Sequence, residues 1–334
     1  SNRAAVLRRL HPCATPSGIP ARRCASASSA ANPAVADPRT GFFVAHVLAI
    51  DIGGTKIAAG VVGPSGDVLV RSRIPTSATS GEDLLERVAT LAAEVLDAAA
   101  VRPDVVGVGC GGPMLVGGAE VSPLNIPEWR DFPLRERLAE RFDLPTFVDN
   151  DAKALALGEG WRGAAVGVSD YLAMVVSTGI GAGIVLDGRL LDGADGNAGH
   201  IGHVVVEPGG RLCACGVHGC LEAVASGTAL AGELGHPAAQ APIHIRERTG
   251  RYVGRGVAAV VNLLDLRLAV VAGSVALGFG DPFFAAANEE LETGCGLEFT
   301  AGARIVPAGL GADGPLVGAA AVGLRGLGAL EFIA

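Results

Sequence analysis

His203, Cys213, Cys215 and Cys220 follow one another with the spacing H-x9-C-x-C-x4-C. Three thiolates and one imidazole make a closed tetrahedral donor set for Zn2+. Gly209, Gly210, Gly216 and Gly219 let a short loop turn tightly enough to present all four. The alternatives are three unconnected buried thiols, or a disulfide with one thiol left over. An odd cluster of three fits disulfides poorly, and a cytosolic chain keeps its thiols reduced. A Cys3His site has no open position, so a metal here is structural and its work is to fix the loop.

Two other stretches carry residues suited to ligands. An apolar run at residues 44–50 ends in Asp51-Ile52-Gly53-Gly54-Thr55-Lys56, and a second strand is expected over 57–62. The glycines put backbone N–H groups within reach of a phosphate, and Thr55 adds a hydroxyl. The spacing is not that of a Walker A loop. Alone, a Gly-Gly turn between strands is a weak signal. Its counterpart is Ser177-Thr178-Gly179-Ile180-Gly181-Ala182-Gly183, again between strands, at 171–177 and 184–186. One strand, glycine turn and strand in each half is an internal repeat. Between them, residues 145–151 form a short strand that delivers Asp149, Asn150 and Asp151 to its end, with a helix expected over 153–161. Strand ends are where α/β folds place ligands. Helix capping is the other use of Asn and Asp there. Asp149 is read as structural.

The elements that must position these residues show in the hydrophobic periodicity. Helical spacing runs over 82–100 through Leu84, Leu85, Val88, Leu91, Ala92 and Leu96. Further helices are expected at 134–142, 249–266, 283–291 and 314–326, and strands at 105–110, 268–272 and 304–307. The chain has 334 residues, enough for two domains, and is 49% hydrophobic but only 4% aromatic, so its cores are built from Ala, Val and Leu. A net charge of −8 argues against a nucleic-acid or anionic-membrane surface. Charged and polar residues interrupt the longest apolar stretch, 257–280, so no membrane span is expected and the chain is read as cytoplasmic. Lys56 and Lys153 are its two lysines. Residues 1–43 are rich in Arg, Ala, Ser and Pro with no acidic residue before Asp37. They are read as a disordered leader or a misplaced start. Their composition is also that of a transit peptide.

The histidine-cysteine segment, the Asp51–Lys56 turn and the Asn150-Asp151 pair together resemble the ROK family, which contains sugar kinases and sugar-responsive repressors. The resemblance covers about residues 44–326. It implies a two-domain actin-like α/β fold of the hexokinase/ROK type with an interdomain cleft and a zinc loop. The implied domains are 44–165 and 166–315, with 316–334 as a C-terminal helix returning to the first. It further implies ATP and Mg2+ across the two glycine turns, at Asp51, Gly53, Gly54, Thr55, Lys56, Thr178, Gly179, Gly181 and Gly273. The sugar would lie among Asn125, Asn150, Asp151, His200, His203 and Glu222, with Asp151 as general base toward its primary 6-hydroxyl. His203 would then serve both zinc and sugar. A homodimer is expected.

Three departures from the family pattern stand out. Cys110-Gly111-Gly112-Pro113 replaces the usual Gly-x-Pro-Gly-Pro turn beside the sugar. The 228–245 segment is shorter than usual. Gly199-His200-Ile201-Gly202-His203 stands where many ROK kinases have Gly-Glu-x-Gly-His. A carboxylate only accepts hydrogen bonds, whereas a neutral imidazole donates one and accepts one. The His variant resembles bacterial N-acetylmannosamine kinases, as does Ala223-Val224-Ala225-Ser226-Gly227. N-acetylmannosamine is the expected acceptor, with glucose, another hexose or a cyclitol as alternatives. A ROK repressor would need a winged helix, which residues 1–45 do not supply, since Pro12, Pro16 and Pro20 interrupt them.

Overall fold

The computed structural model describes residues 45–330. The leader expectation for residues 1–43 lies outside the described residues. In chain order the first part comprises β1 (Val47–Ile52), β2 (Lys56–Val62), β3 (Val68–Pro75), α1 (Gly81–Ala98), β4 (Val105–Cys110), α2 (Leu134–Phe142), β5 (Thr146–Asn150) and α3 (Asp151–Arg162). The second comprises β6 (Tyr171–Val176), β7 (Ile180–Leu186), β8 (Arg189–Leu190), α4 (Leu221–Ala225), α5 (Gly227–Leu234) and α6 (Ile243–Leu264). It continues through β9 (Leu268–Ala272), α7 (Ser274–Phe279), α8 (Asp281–Gly294), β10 (Arg304–Pro307) and α9 (Gly314–Gly326).

Among the described residues these strands make two mixed five-stranded sheets, ordered β3-β2-β1-β4-β5 and β8-β7-β6-β9-β10. In the first, β1–β2 and β2–β3 are antiparallel, and β1–β4 and β4–β5 parallel. The second repeats that pattern with β6–β7, β7–β8, β6–β9 and β9–β10. The glycine turns occupy equivalent places, between the first two strands of each sheet.

The central strands are apolar because both faces are covered. Every residue of β4 is buried, as expected of parallel strands under helices. Helix α1 starts where Ser80 accepts the Asp83 N–H, an N-cap that satisfies one orphan donor. Helix α3 packs on β6 and β7, α9 packs on β1, β4 and β5, and the two helices pack on each other. The layers are therefore sheet, α9, α3, sheet. Close approach needs small residues: a Cβ on Gly107 would lie 2.1 Å from the Ala319 carbonyl oxygen. Leu316, Ala319, Ala320 and Leu324 of α9 join Val47, Ala49 and Val105 in one cluster.

Glu159 of α3 is fully buried. It accepts the backbone N–H groups of Ala164 at 2.7 Å, Gly309 at 3.0 Å and Leu310 at 3.2 Å. One carboxylate thus ties α3 to the loop that leads into α9. Glu159→Ala leaves three part-buried N–H donors without their acceptor, and we expect a loss of about 2–4 kcal/mol in denaturant unfolding. Glu136→Ala, on the exposed face of α2, should cost within about 0.5 kcal/mol. Equal effects would contradict the clamp.

The expected short helical stretch over 228–245 is resolved into α5, a turn at residues 238–240 and the start of α6 after Pro242. No helix among the described residues is long and apolar enough to cross a membrane.

Candidate active site

A cavity of about 580 Å³ lies between the two sheets. It is lined by Asp51, Gly53, Gly54, Thr55, Lys56, Asn125, Asn150 and Asp151 from the first half of the chain. From the second half come Thr178, Gly179, Gly181, His200, His203, Glu222 and Gly273. Each ligand position named from the sequence therefore lines one cavity, while Cys213, Cys215 and Cys220 lie behind His203.

The β1–β2 turn closes through Gly53 N–H to the Lys56 carbonyl at 3.0 Å, and Thr76 Oγ1 donates to the Gly53 carbonyl at 2.6 Å. Thr55 and Lys56 project into solvent. A Cβ on Gly54 would meet Asn125 Cβ at 2.5 Å, so glycine is what lets this turn approach the Asn125 loop. The β6–β7 turn is held from the other side: Gly227 N–H donates to Ser177 O at 2.7 Å and Thr228 Oγ1 to Thr178 O at 2.9 Å. Ser177 Oγ and Ser274 Oγ are 3.0 Å apart.

Strand register sets the acidic centre. Asp51 pairs with Gly109, and Gly109 with Asp149. A Cβ at Gly109 would lie 3.6 Å from Asp51 Oδ1 and 3.8 Å from Asp151 Cα. The Asp51 carboxyl and the Asp151 backbone thus flank a position without a side chain. Asn150 caps α3, its Oδ1 accepting Ala152 N–H at 3.0 Å, and Asp151 Oδ1 accepts the same donor at 2.8 Å. Capping leaves each side chain with further polar atoms, and both residues line the cavity.

Both carboxyls touch solvent only inside a recess walled by protein. Burial first, then the Asp151 charge, pushes Asp51 up to about 7, with Lys56 opposing. Burial also raises Asp151, against the Ala152 hydrogen bond and His200. Partial burial, then His203, holds His200 below its ordinary value of 6.5, so its imidazole is neutral at pH 7.

The Asp51 shift has a definite sign in stability. A carboxyl raised in the folded state binds its proton more tightly folded than unfolded. The stability it contributes is complete below about pH 4 and is lost as pH rises through about 7. Asp51→Asn removes that dependence. Without nucleotide or Mg2+, the variant should match wild type near pH 4 and exceed it by about 1–3 kcal/mol at pH 8. A pH-independent difference in urea unfolding would contradict the placement of Asp51.

The four sulfur and nitrogen donors of His203, Cys213, Cys215 and Cys220 lie within 4.8 Å of one another. Cys213 Sγ is 3.7 Å from His203 Nδ1, and Cys215 Sγ is 3.6 Å from Cys220 Sγ. Ligands at 2.0–2.3 Å from one tetrahedral ion stand about 3.5–3.8 Å apart. The set therefore fits zinc in number, softness and spacing. Cys220 precedes α4, whose first turn carries Glu222. Glu222 Oε2 accepts Ile180 N–H at 2.8 Å, which joins the thiol loop to the second glycine turn and leaves Oε1 for the cavity. The imidazoles of His200 and His203 stack with centroids 6.1 Å apart.

A sequence model of the ROK family matches residues 47–325. The chain belongs to the ROK family. Among ROK relatives, it is 32% identical to the glucokinase of Thermotoga maritima over 311 residues, 83% of this chain and 96% of that one. It is 37% identical to the N-acetylmannosamine kinase of Escherichia fergusonii over 253 residues, 70% of this chain and 84% of that one. The ROK glucokinase from Streptomyces griseus, solved with glucose and AMPPNP, superposes with a TM-score of 0.72 at 30% identity. That match covers 84% of this chain and 99% of the other.

Two cavity residues escaped the sequence reading. Asn197 accepts Met114 N–H at 3.4 Å and donates to Met114 O at 3.2 Å, joining the loops that follow β4 and β8. Lys153 is buried, hydrogen-bonded to Asp192 and the Gly196 carbonyl and ion-paired with Asp149. Asn197 sits in a glycine-rich stretch that reads locally as a turn. Lys153 had no local signal at all.

Proposed function

We propose that this chain is an ATP-dependent sugar kinase of two actin-like domains, 44–165 and 166–315, with 316–334 returning to the first. The reading is carried by one observation: the Asp151 carboxyl, at the head of α3, shares a cavity with two glycine turns and the His200–His203 pair. The turns offer backbone N–H groups and Thr55 and Thr178 hydroxyls to phosphates. The sugar lies among Asn125, Asn150, His200, His203 and Glu222, with Asp151 at its primary 6-hydroxyl. Asp151 accepts the hydroxyl proton as the oxygen attacks the γ-phosphate in line, and Lys56 faces the charge that develops. Closing the cavity excludes water, which would compete as acceptor.

Mg2+, when bound, neutralises charge on the phosphates, and Asp51 is the residue to hold it directly or through water. A zinc ion would sit on His203 Nδ1 and the three thiolates, leaving Nε2 for a sugar hydroxyl and fixing the ring's aim. We read the enzyme as a cytoplasmic homodimer.

N-acetylmannosamine is the acceptor we favour, on the neutral imidazole of His200 and on the likeness to the kinase named for that sugar. Glucose is the second reading, favoured by the likeness to the Thermotoga maritima glucokinase over more of the chain. ADP release with ATP and Mg2+ over N-acetylmannosamine, N-acetylglucosamine, glucose, mannose, fructose and a cyclitol tests both. A preference for N-acetylmannosamine ties His200 to the acetamido sugar. A preference for glucose removes the specificity argument and keeps the kinase. Sugar binding without ADP release from any acceptor would make the chain a sensor and overturn the proposal.

A further inference from the structure

Lys153 is one of two lysines among 26 basic residues, and both line the cavity. Its side chain is 2% exposed. The ammonium reaches Asp192 Oδ1 at 2.9 Å, the Gly196 carbonyl at 3.0 Å and Asp149 Oδ1 at 3.3 Å. Two of these contacts are hydrogen bonds, to Asp192 and Gly196, and the third is an ion pair with Asp149. Arg325 of α9 pairs with the same two carboxylates, at 2.7 Å from Asp192 and 3.3 Å from Asp149. Two cations and two anions thus balance in one cluster. Such a buried cation is costly unless fully paired, so its retention needs an explanation in what it connects.

What it connects is the two sides of the acceptor region. Asp149 lies on β5 directly before Asn150, and Asp151 opens α3. Asp192 and Gly196 belong to the loop that ends at His200. The loop's other anchors include the Arg325–Asp192 pair, Leu191 N–H to Ile184 O at 2.8 Å, Ala198 N–H to Asp192 O at 3.0 Å, Ala182 N–H to Gly199 O at 2.9 Å, and Asn197 on Met114. Two of the three partners of Lys153 belong to the loop, and the third to the strand that leads to the proposed base. None of the three contacts of Lys153 involves a residue of either glycine turn, although the loop itself also meets Ala182 at the end of the second.

We infer that Lys153 is a positioning residue that sets the separation between the Asn150-Asp151 strand end and the His200 loop, and so governs acceptor-sugar binding but not nucleotide binding. The inference rests on the acceptor-site reading above. Without the ammonium, Asp149 and Asp192 keep Arg325 as their one cationic partner among the described residues, and the loop's Gly196 carbonyl loses its buried donor. The loop then relaxes away from the strand end. Misplacement of about 1 Å at such a site costs on the order of 10- to 100-fold.

The test compares wild type with Lys153→Met, Lys153→Arg and Asp192→Asn in two measurements: calorimetric sugar affinity without nucleotide, and the separate KM values for sugar and ATP. Lys153→Met should weaken sugar binding about 10- to 100-fold and leave the ATP KM within about twofold. Asp192→Asn, on a half-exposed residue, should move the same parameter in the same direction by less. Should Lys153→Met fail to fold, Lys153→Arg and Asp192→Asn carry the same comparison. Unchanged sugar affinity, or equal rises in both KM values, would overturn the inference, since a merely structural lysine affects both substrates alike. Should wild type bind sugar but release no ADP, the kinase reading fails, and the calorimetric comparison still decides the role of Lys153.

Discussion

Asp151→Asn is expected to lower kcat by about 10³-fold or more while sugar affinity stays within a few-fold of wild type. Asparagine keeps the shape of the side chain, and its Oδ1 can still accept the Ala152 N–H that Asp151 takes at 2.8 Å. Asn150 remains free to cap α3 through the same donor. The other polar groups around the acceptor, His200, His203 and Glu222, are untouched. Basicity is what disappears, and a positioned base contributes about 10²- to 10⁴-fold. Rapid-quench turnover and calorimetric sugar binding on one preparation separate the two effects. Loss of binding in proportion to loss of rate would show that Asp151 holds the sugar and does not take its proton. The pH profile of the wild type carries the same information. Burial raises the Asp151 carboxyl, and a base acts only when ionised. Sugar-saturated turnover should therefore fall toward acid on a limb above the ordinary aspartate value of 3.8.

The second large effect is expected from the thiol loop. Cys220→Ser removes a buried thiol of the proposed zinc set, directly before the helix turn that carries Glu222. Purified wild type should contain one zinc per chain, and the variant much less. Sugar affinity should fall about 100-fold, because His203 and Glu222 both depend on the loop, an estimate in line with the penalty for displaced reacting groups. Global unfolding should move by only about 5 °C. The loop has other ties that survive without metal: Tyr252 Oη donates to Glu207 at 2.6 Å, and Glu233 pairs with both Arg211 and Arg248. The large apolar cluster around Phe279, Phe283 and Val257 does not include the thiols. ATP affinity should change little. Metal-free wild type with undiminished sugar affinity would remove zinc from the account.

The parts of this protein that could be read from sequence are those written in short stretches. The two Gly turns, the Asn150-Asp151 pair and the cysteine spacing are each local, and so are the periodicities of α1 and α9. β4 matches its apolar run from Val105 to Cys110 because a strand covered on both faces needs no alternation. β3 was missed. It is an edge strand with strictly alternating exposure, and Leu69, 49% exposed, sits on its open face beside Arg71 and Arg73. That pattern resembles a polar loop until β2 is in place beside it. Helix α4 was missed for another reason. It has five residues and no side-chain cap, so it depends on packing. Lys153 is the clearest limit: its loop partners lie 39 and 43 residues away in sequence. Only the fold creates that cluster, whereas the place of Asp151 at the head of α3 shows in its neighbours in sequence.

The most direct test of the central claim is product analysis after incubation of the protein with ATP, Mg2+ and the preferred sugar. Chromatography gives ADP, and phosphorus NMR gives the position of the new phosphate. ADP and a sugar phosphate formed one for one, with phosphate on the primary carbon and neither formed by Asp151→Asn, is the predicted result. ADP that appears without sugar, or phosphate on a secondary hydroxyl, would contradict the assignment of Asp151 as base toward the primary hydroxyl.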